Sequence, residues 1–83
     1  MPLDRDRWLR ALAELVGENT QKMITGADWN VARGYEPNDF IAAVAAIELE
    51  RSGYVAVTWS NEQHRPPAAV WITRQGVAAL RAD

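Results

Sequence analysis

Cysteine is missing from all 83 residues, and histidine occurs once, at His64. A disulfide framework and a thiolate metal site are therefore excluded. A lone imidazole cannot assemble the usual zinc set either. Glycine is sparse, and Gly26 and Gly34 stand alone rather than in a phosphate-cradling loop. No apolar run approaches the ~18 residues of a membrane span. The opening stretch MPLDRDRWLR lacks the apolar centre of a signal peptide. Base is in deficit, with 9 Lys and Arg against 11 Asp and Glu and a net charge of −2. The sequence pI is about 5.3, so the overall basic footprint of nucleic-acid binders is lacking. The carboxylates are scattered, and Ser60 and Glu62 beside His64 show no triad order. These absences lead to the expectation of a non-enzyme without cofactor or metal. They fit a soluble cytoplasmic protein with no membrane partner, built as one domain over residues 1–83.

What is present begins with four Trp. At a length just above the ~70–80 residues where a core alone becomes adequate, large aromatics and oligomerisation are both routes to stability. Trp8, Leu9, Leu12, Leu15 and Val16 recur at helical spacing and predict an amphipathic helix over residues 3–16 that stops at Gly17. Asp4 and Asp6 suit its positive N-terminal end. Interleaved with Arg5, Arg7 and Arg10, they read as a salt-bridged helix start. After the polar loop 18–22, Met23 and Ile24 suggest a very short strand. Thr25 followed three residues later by Asp28 resembles a capping box, opening a short helix that carries Trp29 and Ala32 and ends at Gly34.

Residues 35–39 form a turn, and Pro37 suits a first helical position, so the third helix is expected from Pro37 to Ser52, ending at Gly53. YVAVTW, residues 54–59, is β-branched and aromatic and reads as a strand. Residues 60–67 are polar with two prolines and read as a loop, and 68–72 as the returning strand. Thr73 caps a last helix running through Leu80, with Val77 and Leu80 facing inward. Alternation puts Val55, Val57 and Trp59 on one strand face, joined by Val70 and Ile72. Trp71 then points outward, near Tyr54 or Ala56.

The expected fold is α+β, in the order helix, short strand, helix, helix, strand, strand, helix. Leu49-Glu50-Arg51-Ser52-Gly53-Tyr54-Val55 is similar to the exit from the recognition helix in winged helix-turn-helix domains of the MarR or PadR type. Val70 through Leu80, with Thr73, Gly76 and Leu80, resembles the passage from their second wing strand into the following helix. Ile24-Thr25-Gly26-Ala27-Asp28-Trp29 lies where the first helix of their pair begins. The resemblance spans roughly residues 20–80 and implies a DNA-binding transcriptional regulator. On that alternative, Asn38, Arg65 at the wing tip and Arg74 would meet nucleic acid.

The third helix departs from this pattern. Aligned on Leu49 and Gly53, its DNA-facing positions hold Ala43, Val44, Ile47 and Glu48, with Asp39 and Phe40 at the leading end. Base edges are read by donors and acceptors, which Ala, Val and Ile lack. Glu36, Asp39, Glu48 and Glu50 oppose phosphate, and no base occurs among residues 36–50. Two readings of this apolar face stay open: core covered by the first helix, or contact with a second chain. The contact reading names Phe40, Ala43, Val44 and Ile47, with Tyr54 and Trp71 as an aromatic pair on the sheet. It describes a regulator or adaptor working through a protein partner, a homodimer or both.

Overall fold

A computed structural model describes residues 4–60 and 66–82. Its elements are helix α1 (Arg5–Val16), strand β1 (Met23–Ile24), helices α2 (Gly26–Ala32) and α3 (Ile41–Arg51), strands β2 (Val55–Thr58) and β3 (Ala69–Ile72), and helix α4 (Arg74–Arg81). The architecture is α+β, with one antiparallel sheet in the order β1-β3-β2. The order along the chain is the expected one, and three of the four helix starts, those of α1, α2 and α4, carry a local signal.

Those signals act as hydrogen bonds. Asp4 accepts from the Arg7 N–H, Thr25 from Asp28 and Thr73 from Gly76. Each satisfies a helix N–H that has no partner within its own helix. At its other end α1 closes on Gly17 in the left-handed conformation, with φ 61°.

Helix α3 is shorter than expected. It begins at Ile41 rather than Pro37, and residues 36–39 stay outside it. The cause is Asn30, which is fully buried. Its Nδ2 donates to the carbonyls of Pro37 (3.0 Å) and Asp39 (2.8 Å). Its Oδ1 accepts from the Ala42 N–H at 3.1 Å. The turn is gripped from the side, and Asp39 Oδ1 caps the Ile41 N–H.

The core joins α1 and α3 to α2 and the inner face of the sheet. Trp8, Trp29, Leu9, Leu12, Leu49, Val70 and Ile72 are all buried. Trp8 and Trp29 meet edge to face with centroids 5.1 Å apart, and Trp29 Nε1 donates to the Trp8 carbonyl at 2.9 Å. Such an aromatic pair adds ~0.5–1.5 kcal/mol beyond its buried area. Tyr35 stacks on Trp8 at 5.8 Å, and the Arg33 guanidinium lies 5.7 Å from its ring centroid. Facing these large side chains, α3 contributes Ala42, Ala45 and Ala46, all fully buried. Bulk on one side and alanine on the other let the elements interlock.

Three positions depart from the expected pattern. Leu15 is exposed, because α1 turns only Trp8, Leu9, Leu12, Ala13 and Val16 inward. Trp59 lies beyond β2, which ends at Thr58, and is exposed rather than continuing the inward set of Val55 and Val57. Ala69 is buried although it alternates with the inward Val70 and Ile72.

The turn into the hairpin and the turn out of it are tied together. Thr73 donates its hydroxyl to the Gly53 carbonyl at 2.6 Å, and its N–H to the Tyr54 carbonyl at 3.0 Å. Gly76 packs directly on that Tyr54 carbonyl, and a Cβ there would also lie 2.9 Å from Ile72 Cγ1. The glycine is thus required by a close approach of backbones.

Two stability outcomes follow from these contacts. Asn30→Ala leaves buried partners unpaired, at ~1–3 kcal/mol for each such group. A urea titration should show a lower midpoint with an unchanged slope. Gly76→Ala should also lower the midpoint, because overpacking costs ~1–3 kcal/mol of stability. A midpoint equal to wild type in either variant contradicts the packing described.

Candidate functional site

The outer side of α3 is built by two constraints. The Asn30 clamp fixes where the helix starts, and the buried alanines press its other side into the core. Phe40, Val44 and Ile47, spaced by four and three residues, then share one outward stripe. Phe40 is 52% exposed and Ile47 41%, while Val44 is half-buried. Phe40 stands immediately before the helix, and its backbone carbonyl accepts the Ala43 and Val44 N–H groups. Glu50, three residues after Ile47, is exposed beside the stripe, Glu36 is exposed in the turn before the helix, and Glu48 is half-buried. Arg51 ends the helix and is exposed.

Ala43 does not belong to this surface. It is 5% exposed and faces inward with Ala42 and Ala46. The core reading holds for the side of the helix that packs on α1 and the sheet, while Phe40 and Ile47 are exposed on the other. A seven-residue apolar sequence gives no sign of where that division falls, because its alanines fit either side.

Tyr54 and Trp71 occupy another part of the molecule. Tyr54 is half-buried and packs against the core. Trp71 is half-buried on the outer face of the sheet, where the register sets it between Met23 of β1 and Ala56 of β2. Met23 is 57% exposed, so this face has an apolar row of its own.

The residues named for nucleic acid are not brought together. Asn38 is exposed and lines a cleft of about 440 Å³ with Thr25, Ala27, Ser60 and Pro66. Arg74 is exposed at the start of α4 and lines a separate groove. Arg65 and His64 lie outside the described residues.

That second groove had no single-residue signature in the sequence. It measures about 510 Å³ and runs between the α1–β1 loop and α4, lined by Glu18, Thr20, Arg74, Val77, Ala78 and Arg81. Arg74, Ala78 and Arg81 fall on one side of α4 by their spacing. Arg81 Nη2 lies 2.7 Å from Glu18 Oε2 across the groove. Both side chains are substantially exposed, so the pair adds little stability. Glu18 has φ 62°, a left-handed conformation unusual for a residue with a Cβ. The charge distribution, an acid-poor segment from residue 63 to residue 82, was the available clue to a basic surface there.

No protein-family model, curated protein or solved structure matches this chain. Among the described residues, no helix is long and apolar enough to cross a membrane.

The division of α3 into an inner and an outer side has a direct consequence for stability. Exposed positions usually change stability by less than ~0.5 kcal/mol. Phe40→Ser and Ile47→Ser should therefore stay folded, with melts well above that of Ala43→Glu. Ala43→Glu places a carboxylate in the core and should melt far lower or not fold. Thermal unfolding followed by circular dichroism ranks the three. An Ala43→Glu melt matching Ile47→Ser contradicts the assignment of sides.

Proposed function

We propose that the chain is a small non-enzymatic adaptor or regulator of winged helix-turn-helix form, working through protein contact on the outer side of α3 and associating with itself. The observation that carries this reading is the exposure of Phe40 and Ile47, 52% and 41%, on a single stripe with Val44. Apolar side chains clustered on one open stripe mark contact surfaces more often than isolated ones do. The winged-helix form is supported by a short helix pair followed by an antiparallel hairpin and a closing helix. It is further supported by the link from Gly53 and Tyr54 to Thr73 and Gly76.

The same form favours a second reading, a DNA-binding transcriptional regulator. It would place α3 in a groove, with Asn38, Arg65 and Arg74 as its polar contacts. The chemistry of α3 argues against it. Phe40, Val44 and Ile47 offer no hydrogen bond to a base edge. Glu50 is exposed beside that stripe and Glu36 in the turn before α3, and both carry the charge that repels phosphate.

One substitution separates the readings. A charge placed in a protein interface without a partner costs several kcal/mol, which at ~1.4 kcal/mol per tenfold is a hundredfold or more in affinity. Ile47→Glu should keep the wild-type circular dichroism spectrum while its solution mass by light scattering falls. Unchanged mass and unchanged partners in a folded Ile47→Glu protein exclude the α3 contact. Duplex DNA should bind no tighter than the ~10⁻⁴–10⁻⁶ M of non-specific association near physiological salt. Submicromolar binding that weakens steeply with salt and is lost in Arg65→Ala would favour the DNA reading instead.

A further inference from the structure

The groove beside α4 has two unlike ends and an apolar middle. Arg74 and Arg81 open and close the helix. At 1.5 Å per residue they stand about 10 Å apart along it. Val77 and Ala78 form the wall between them. At one end Arg81 is engaged by Glu18 at 2.7 Å. At the other, no described residue pairs with Arg74, and α4 has no acid in its first turn. Among the described residues, two guanidiniums and one carboxylate therefore line the groove, and one positive charge is left over, at Arg74.

The facing wall is ordered by its own hydrogen bonds. The Glu18 N–H donates to the Ala13 carbonyl, that of Asn19 to Val16, and that of Gln21 to the Asn19 side chain. This loop adds the exposed hydroxyl of Thr20 to the lining. The groove's volume of about 510 Å³ lies within the ~300–1,000 Å³ of small-molecule sites, which set a few polar groups in an apolar wall.

We propose that the α4 groove binds a small amphipathic monocarboxylate, its carboxylate on Arg74 and its apolar chain along Val77 and Ala78 toward the Glu18–Arg81 pair. Charge decides the class. One unpaired guanidinium calls for one negative charge, and a planar carboxylate matches its fork. A dianion such as a phosphate monoester brings a further negative charge, for which the groove has no unpaired base. A cation meets Arg74 unfavourably. The apolar wall decides the rest of the ligand. A bare anion leaves Val77 and Ala78 in water, and an exposed guanidinium alone holds it weakly. This site shares no residue with the outer side of α3, and it stands or falls independently of the contact proposed there.

The test is an NMR titration of the isotope-labelled chain with octanoate, with acetate, octylamine and octyl phosphate as comparisons. Circular dichroism confirms that each variant is folded. Octanoate should saturate, with shift changes concentrated at residues 18–20 and 74–82. Acetate, which lacks the chain, and octylamine, which has the opposite charge, should each bind about tenfold more weakly or worse. Arg74→Gln should weaken octanoate about tenfold or more, because a charge-assisted hydrogen bond is lost. Ala78→Glu, which sets a carboxylate in the wall, should do the same. Both positions are exposed, so the fold should be kept. Glu18→Gln releases Arg81 and should turn the preference toward octyl phosphate. Shift changes confined to other surfaces, such as Phe40 and Ile47, overturn the site. So does Arg74→Gln binding octanoate as tightly as wild type. Octylamine binding as tightly as octanoate, or a wild-type preference for octyl phosphate, overturns the ligand class.

Discussion

A single buried amide sets the relation between the second and third helices. Asn30 brings two donors and an acceptor into a site closed to water, and each finds a backbone partner in the turn and in α3. A buried polar group that is fully satisfied specifies geometry strongly, because any shift leaves it unpaired in a low-dielectric setting. The turn from Pro37 to Asp39 is held by this side chain more than by its own propensities. The start of α3, the position of Phe40 and the direction of the outer stripe all descend from that clamp. Trp29, the preceding residue, anchors the same helix to α1 through its indole N–H. Adjacent residues of α2 thus fix the two helices on either side of it.

The hairpin is held by a different device at the opposite end of α3. There the backbone itself is crowded: the Tyr54 carbonyl accepts the Thr73 N–H and has Gly76 against it. The Thr73 hydroxyl serves two helices, capping α4 while donating to the carbonyl of Gly53 just beyond α3. The spacing of Gly53, Thr73 and Gly76 therefore has a packing explanation in this chain. The geometry of both ends of α3 is set by hydrogen bonds to residues outside it.

The parts legible in the sequence were those governed by local chemistry. Thr25 with Asp28 and Thr73 with Gly76 announce helix starts because the hydrogen bond joins residues three apart. The period-two pattern of Val55, Val57, Val70 and Ile72 gives the inner face of the hairpin for the same reason. The parts that were not legible depend on long-range partners. The α3 boundary moved because Asn30, seven to twelve residues upstream, bonds the turn and Ala42. Leu15 looks like part of the α1 stripe, but no neighbour covers it. The partly exposed α3 was visible as a helix rich in Ala, Val and Ile. Its two sides were not, since alanine carries too little apolar surface to declare an orientation. The α4 groove joins residues 18–20 with residues 74–82, and no window of sequence contains both.

The alanines of α3 have a consequence for the entropy of its inner side. Fixing a long side chain on folding costs up to ~2 kcal/mol of rotamer entropy, and fixing alanine costs almost none. The inner side of α3, with Ala42, Ala43, Ala45 and Ala46 buried, has almost no rotameric states to exchange. It packs against the core as a rail of small side chains. Under the proposed function, a partner would meet a backbone already ordered by folding, and entropy lost on folding is not lost again on binding. Slow amide hydrogen exchange along the helix would be the physical signature of that rail.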